Sequence, residues 1–160
     1  MRPKLAPLLL LVLLGCAHKP PYEGRSVAEL ERMLDDPSPA VQAQGALGLG
    51  LHGAEARSAV PALTRALRSS DALVRQQAAG ALGQIGAADG ETVSALAAAL
   101  EDREWTVRRQ AAQALGQLGP AAAGAEAGLR RCQRDSNSLV RKAAEEALAQ
   151  VAPPKRDAAR

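Results

Sequence analysis

A valine recurs at residues 41, 74, 107 and 140, at an interval of 33 each time. Its surroundings recur with it: "LVRQQAAGALGQIG" at 73–86 returns as "TVRRQAAQALGQLG" at 106–119. Nothing else in the 160 residues constrains the fold so tightly, because a chain that states one unit four times must fold as copies docking on copies. Each Val is taken as position zero. Position four then holds Gly45, Ala78, Ala111 and Ala144, position eight Leu49, Leu82, Leu115 and Leu148, and position eleven His52, Ile85, Leu118 and Val151. On a helix these positions lie within about 80° of one another and form one apolar stripe. Gly53, Gly86 and Gly119 follow, where a left-handed residue would end each helix.

A second stripe precedes each of these: Val27-Leu30-Leu34, Val60-Leu63-Leu67 and Val93-Leu96-Leu100. The fourth copy keeps Leu129 between Glu126 and Gln133. Four helix–turn–helix units result, at about 24–53, 57–86, 90–119 and 123–152. No unit buries its stripe alone, whereas stacking buries them all, so the expected fold is all-α, a right-handed α-solenoid. Composition agrees. The chain is 47% hydrophobic yet has no Phe, one Trp and one Tyr, so its apolar content is mostly Ala, Leu and Val, which suits closely approaching helices. Glu145 in the last unit stands where Ala46, Ala79 and Ala112 would meet a neighbour. Glu29 in the first stands where later units carry Ala62, Ala95 and Gly128. Polar residues at both ends read as caps of the array.

Each pair turns through Asp36, Ser69, Asp102 or Asp135, and six residues later comes Gln42, Arg75, Arg108 or Arg141. The pattern D-x-x-x-x-V-R-x-x-A-A-x-A-L-G-x-L-G resembles HEAT repeats, of the short type first named for phycobilisome lyases. The resemblance implies a hydrogen-bonded ladder between neighbouring repeats, built from Asp36, Asp102 and Asp135 with Arg75, Arg108 and Arg141. Gln42 and Ser69 depart from that pattern.

The chain opens "MRPKLAPLLLLVLLGC". Arg2 and Lys4 precede an apolar run from Leu5 to Leu14, too short for a membrane span of roughly 20 residues but suited to a signal peptide over 1–15. Leu13-Leu14-Gly15-Cys16 resembles the lipobox of bacterial lipoproteins, which implies acylation of Cys16; an ordinary signal peptide cleaved after Gly15 or Ala17 is the alternative. Residues 16–23 read as the lipidated cysteine and a tether, and 153–160 as a flexible tail. By resemblance to enteric sorting, Ala17 after the cysteine implies an exported protein anchored on the periplasmic face of the outer membrane. Stable anchoring needs more than one acyl chain.

Residues that carry chemistry are few. The net charge of +3 falls to +1 once Arg2 and Lys4 leave, which argues against a nucleic-acid partner. Of two His, His18 lies in the tether and His52 occupies an apolar-stripe position, so a His-based metal site lacks ligands. Deoxyhypusine hydroxylase, a HEAT-like enzyme, binds iron through His-Glu pairs, and no His-Glu dipeptide occurs here. Cys132 aligns with Met33, Ala66 and Ala99 and reads as a buried thiol. No phosphate loop is present. No enzyme activity, cofactor, metal or small-molecule substrate is therefore expected.

What recurs on the polar side of the second helix is amide. Position three holds Gln44, Gln77 and Gln110, and position ten Gln84, Gln117 and Gln150. Gln76, Arg109 and Lys142 join at position two, and Gln113 at position six. In folds of this kind that side is concave. Stacked columns of Gln, each both donor and acceptor, would clamp the backbone of an extended partner segment. The expectation is a lipid-anchored envelope scaffold or adaptor for an unidentified protein partner; the alternative is a chaperone or maturation factor for a neighbouring envelope enzyme. Cys16→Ser is expected to abolish acylation and move the protein out of the membrane fraction. Unchanged membrane retention, with no fatty acid label on the wild type, would refute the lipoprotein expectation.

Overall fold

The computed structural model describes residues 20–152. The expected signal peptide, Cys16 and the expected tail at 153–160 lie outside the described residues. Eight α-helices follow in pairs: α1 (Val27–Met33) with α2 (Pro39–His52), α3 (Val60–Ala66) with α4 (Ala72–Ile85), α5 (Gly90–Ala99) with α6 (Trp105–Leu118), and α7 (Glu126–Cys132) with α8 (Ser138–Val151). The second helices stack in order, α2 on α4, α4 on α6 and α6 on α8, while each first helix packs on its own partner. The result is an all-helical solenoid of four repeats. Among the described residues, no helix is long and apolar enough to cross a membrane.

Local signals start the helices. Ser26 and Glu29 form a reciprocal capping box at α1, so Glu29 serves the helix start as well as the polar end of the array. Asp71, Asp89 and Asn137 cap α4, α5 and α8 through their side chains, and Pro39 opens α2 where its missing N–H is harmless. The stripes form the core: Leu30, Leu49, Leu63, Leu82, Leu96, Leu115 and Leu129 are fully buried, with Val74, Val107 and Val140 beside them. Residues 20–23, expected within the tether, make a turn with Gly24. There Glu23 N–H donates to Pro20 O, and Tyr22 lies against Gly48.

Small residues set how near the second helices come. At position nine, a Cβ built on Gly50 would stand 3.0 Å from Ala81 Cα. On Gly83 it would stand 2.8 Å from Ala114 Cα, and on Gly116 3.0 Å from Ala147 Cα. In each case position nine of one repeat receives position seven of the next. Among the described residues no repeat follows the fourth, and its position nine is Ala149, which is exposed.

The three linkers are not alike. Gly53–Ala59 and Gly119–Ala125 are 3₁₀ turns that bury Ala56 and Ala122 completely. All three helix-ending glycines have positive φ, but only Gly86 is left-handed helical (φ 73°, ψ 38°), with Ala87 N–H reaching back to Leu82 O. Gly53 and Gly119 take ψ near −134° and −139°, which sends the chain into the 3₁₀ turn instead.

Gly83→Ala forces backbone apart and is expected to cost about 1–3 kcal/mol in urea unfolding despite Ala's better helix propensity. Gly124→Ala, where a Cβ meets nothing within 4 Å and φ is negative, should be neutral or stabilise by up to about 1 kcal/mol. Equal effects at the two sites would show that helix approach is not the constraint.

Candidate functional site

Two features recur along the stack, a charged ladder at the turn edge and amides on the second-helix face. In the ladder, Arg75 grips Asp102 with Nε (2.7 Å) and Nη2 (2.8 Å), and Arg108 grips Asp135 the same way at 2.7 and 3.0 Å. Each guanidinium also donates backward through Nη1, Arg75 to Ser69 O and Ser70 O, Arg108 to Asp102 O and Arg103 O. One side chain thus closes its own turn and holds the next repeat's carboxylate. These pairs are nearly buried and bidentate, the geometry in which an ion pair is strong and its breakage costly.

The ends and the departures obey the same logic. Arg141 closes its turn through Asp135 O and Ser136 O, and among the described residues no carboxylate meets its outer face. Gln42 keeps the backward bond to Asp36 O at 2.7 Å, and Ser69 keeps the turn by accepting from Asp71 N–H. Asp36 accepts from Ser38 N–H, and among the described residues no arginine of another repeat grips it. The first junction therefore lacks a charged rung. For Asp102, burial pushes the carboxyl upward, but Arg75 and the Glu104 N–H outweigh it and hold it below the usual range. At Asp135 the Arg108 hydrogen bonds dominate and hold it low against burial.

The amide columns are only partly free. Gln84 Oε1 lies over Gly50 and Gln117 Oε1 over Gly83, each covering the backbone of the preceding repeat. Gln110 Nε2 lies over Gly80, 3.0 Å from where a Cβ would stand. Gln44 and Gln77 are half-buried, as is Gln76, and Gln44 Oε1 has no partner among the described residues. The expected uniform clamp is thus corrected: at the first two junctions the glutamines pack between repeats, because a glycine beneath each leaves room for an amide to lie flat. Arg109 sits over the Trp105 ring at 5.6 Å, and Lys142 stands 3.8 Å from Glu146.

The last junction differs. Position three is Ala143, so no amide lies over Gln113, and the atoms nearest Gly116 all belong to Ala147. A cleft of about 540 Å³ opens between α6 and α8. Gly116, Ala143 and Ala147 floor it, and Gln113, Gln117, Gln150 and Glu146 wall it. The floor admits a backbone closely, the amides offer donors and acceptors, and one carboxylate supplies the only charge.

The remaining chemistry-bearing residues are structural. His52 Nε2 stands 3.0 Å from Arg25 O, and Nδ1 3.6 Å from Glu55. Cys132 is buried with its thiol 3.7 Å from Leu100 O, and burial pushes its pKa up, away from a reactive thiolate. Among the described residues, no three of His, Cys, Asp and Glu gather where a metal ion would sit.

Comparison with known proteins places this geometry. A family model described as HEAT repeats matches residues 27–91 and 87–149. No curated protein matches the chain. Human deoxyhypusine hydroxylase is 32% identical over 82% of this chain, with a TM-score of 0.63, but the chain spans only 45% of that protein's length. An engineered protein shares the fold at 24% identity (79% of this chain, 62% of that one, TM-score 0.64). So does the CpcE–CpcF complex of phycocyanin lyase from Nostoc, at 22% identity (86% and 70%, TM-score 0.60).

Arg108→Ala strands Asp135 and two carbonyls and is expected to cost roughly 3 kcal/mol; Arg141→Ala, with no carboxylate to strand, costs about 1 kcal/mol or less. The depressed carboxyls also set a pH dependence. Their stabilisation is complete above the unfolded value of about 3.9 and is lost as pH falls through the lower folded value. The gap in urea stability between wild type and Asp135→Asn should therefore hold from pH 7 to 5 and close below about 4. A gap that persists in acid would contradict the ladder's ionic character.

Proposed function

The chain belongs to the HEAT-repeat family, and from that premise we propose that it is a protein-binding scaffold, held at the cell envelope by an acylated Cys16. The observation that carries the reading is the cleft between α6 and α8, where Gln113, Gln150 and Gln117, whose Oε1 also covers Gly83, gather around a floor of Gly116, Ala143 and Ala147. An extended polypeptide fits such a site. Its backbone alternates donors and acceptors, which Gln113, Gln117 and Gln150 match without demanding charge, and the small floor lets it approach. Glu146 adds a preference for a cationic side chain in the bound segment. Gln77, Gln84 and Gln110, half-spent on packing at the earlier junctions, flank this site rather than form it.

Support for the anchor comes from the leader alone: a basic start, a ten-residue apolar run and a cysteine directly after Gly15. Anchoring serves a scaffold by confining its partner search to the membrane surface. The human hydroxylase's chemistry is not carried over, since the chain spans less than half of that protein and the sequence has no His-Glu dipeptide.

The test uses the acylated protein, solubilised in detergent, with capture of its native envelope partner quantified by pull-down. Replacing Gln113, Gln117 and Gln150 together by Ala is expected to leave the helical circular dichroism intact. Capture should weaken at least tenfold, about 1.4 kcal/mol. Undiminished capture by the folded triple variant would remove the cleft from the function. Weak capture of many unfolded chains in place of one stoichiometric partner would favour the chaperone reading.

A further inference from the structure

One substitution opens a groove on the opposite face. At linkers one and three, Ala56 and Ala122 are fully buried and plug the space between successive first helices. The corresponding residue in linker two is Asp89, whose carboxylate cannot take that buried place without a large desolvation cost. The chain takes another path. Gly86 turns left-handed, and Asp89 becomes a helix cap, accepting from Thr92 N–H (2.9 Å) and Thr92 Oγ1 (2.7 Å). Helix α5 gains its start at Gly90, giving it ten residues where α3 and α7 have seven.

The space once plugged is left open. A cavity of about 540 Å³ lies between α3 and the rerouted linker, with Val60, Pro61, Ala87 and Ala88 in its wall. A second, of about 340 Å³, continues between α3 and α5 over Leu67, Ala95, Ala98 and Ala99. Both share Thr64 and Glu91, so they form one groove along the length of α5, about 15 Å. The next gap is bridged instead: Arg131 donates to Glu101 at 2.8–3.0 Å, Gly128 lets α7 come close to Leu100, and a smaller cavity of about 260 Å³ lies beside Asp102 and Asp135.

The two walls carry opposite charge. Arg57 and Arg68 line the α3 side; Asp89, Glu91 and the Arg75-paired Asp102 line the α5 side. Among the described residues, no ion pair joins Arg57 or Arg68 to Asp89 or Glu91 across the gap. A floor of Ala, Val, Pro and Leu between two parallel helices suits a third helix, and small residues admit it closely. We infer that the α3–α5 groove is a second docking surface, which takes an amphipathic helix of a partner protein with an apolar stripe, one acidic flank and one basic flank. The acidic flank lies along Arg57 and Arg68, and the basic flank along Glu91. The inference is independent of the α6–α8 cleft, which lies on the other layer and binds extended chain.

Three synthetic 14-residue helices with the same Leu/Ala stripe test it. One carries Glu on one flank and Lys on the other, one Lys on both, and one Glu on both. Amide chemical shifts of the full-length protein are the readout. The mixed-flank helix is expected to shift Ala87, Ala88, Ala95 and Ala98, leave Gln113 and Gln150 unmoved, and bind at least tenfold tighter than either uniform helix. Arg57→Glu with Arg68→Glu, both at exposed positions, makes both walls acidic and should transfer that preference to the Lys-flanked helix. No shift at these alanines with any of the three helices overturns the inference. So does binding that ignores the charge reversal in a variant with unchanged circular dichroism.

Discussion

The distance between successive second helices governs everything else in this molecule. A glycine at position nine receives the alanine at position seven of the next repeat, at Gly50–Ala81, Gly83–Ala114 and Gly116–Ala147. With no Cβ on one side and only a methyl on the other, two helix backbones come near enough for the leucine stripes to close over one continuous core. That approach also brings the turn edges into register, so that an arginine six residues past one turn reaches the carboxylate of the next. The ladder follows from the packing rather than replacing it. Buried ion pairs contribute modest net stability, and their value here is to fix the register that the apolar contact allows.

Repetition makes the exceptions informative. Where every unit obeys the rule, the surface is filled: glutamines lie over glycines, and alanines plug the linkers. Where one residue departs, space opens. Ala143 in place of glutamine leaves the α6–α8 cleft uncovered, and Asp89 in place of alanine opens the α3–α5 groove. A small side chain creates the first by leaving a gap. A charged one creates the second by refusing burial and rerouting the backbone. The two sites differ accordingly, one amide-walled and suited to extended chain, the other apolar-floored and suited to a helix.

The boundaries of the array show the same economy. Ala149 and Ala152 stand in the fourth repeat where earlier ones carry Gly50, Gly83 and Gly116 or the positive-φ glycines, and among the described residues no helix docks on Ala149. At the other end, the turn at residues 20–24 sets Tyr22 against Gly48 of α2. Arg141 keeps only the half of its bonding that its own turn provides.

The period of 33, the two stripes per unit and the Asp–Arg spacing were legible from residues alone, because helix periodicity and nearest-neighbour stacking are local rules copied four times. All-α class and repeat number follow from them, while the ladder was implied by the resemblance to HEAT repeats. The use of the glutamines was not legible. A recurring exposed amide and an amide laid over a neighbour's glycine have the same sequence signature, and only the inter-helix distance separates them. Gln42 looked like a loss, yet it keeps the backward half of the rung, since a side-chain amide reaches the same carbonyl as a guanidinium. The linkers between units are equal in length, and length hides their difference: whether residue 89 is buried or capping depends on desolvation in a packed gap that exists only once α3 and α5 are in place. The sequence by itself determined the unit and its stacking. The tertiary structure decided where that stacking leaves room, because a cavity is a property of surfaces brought together and belongs to no single residue.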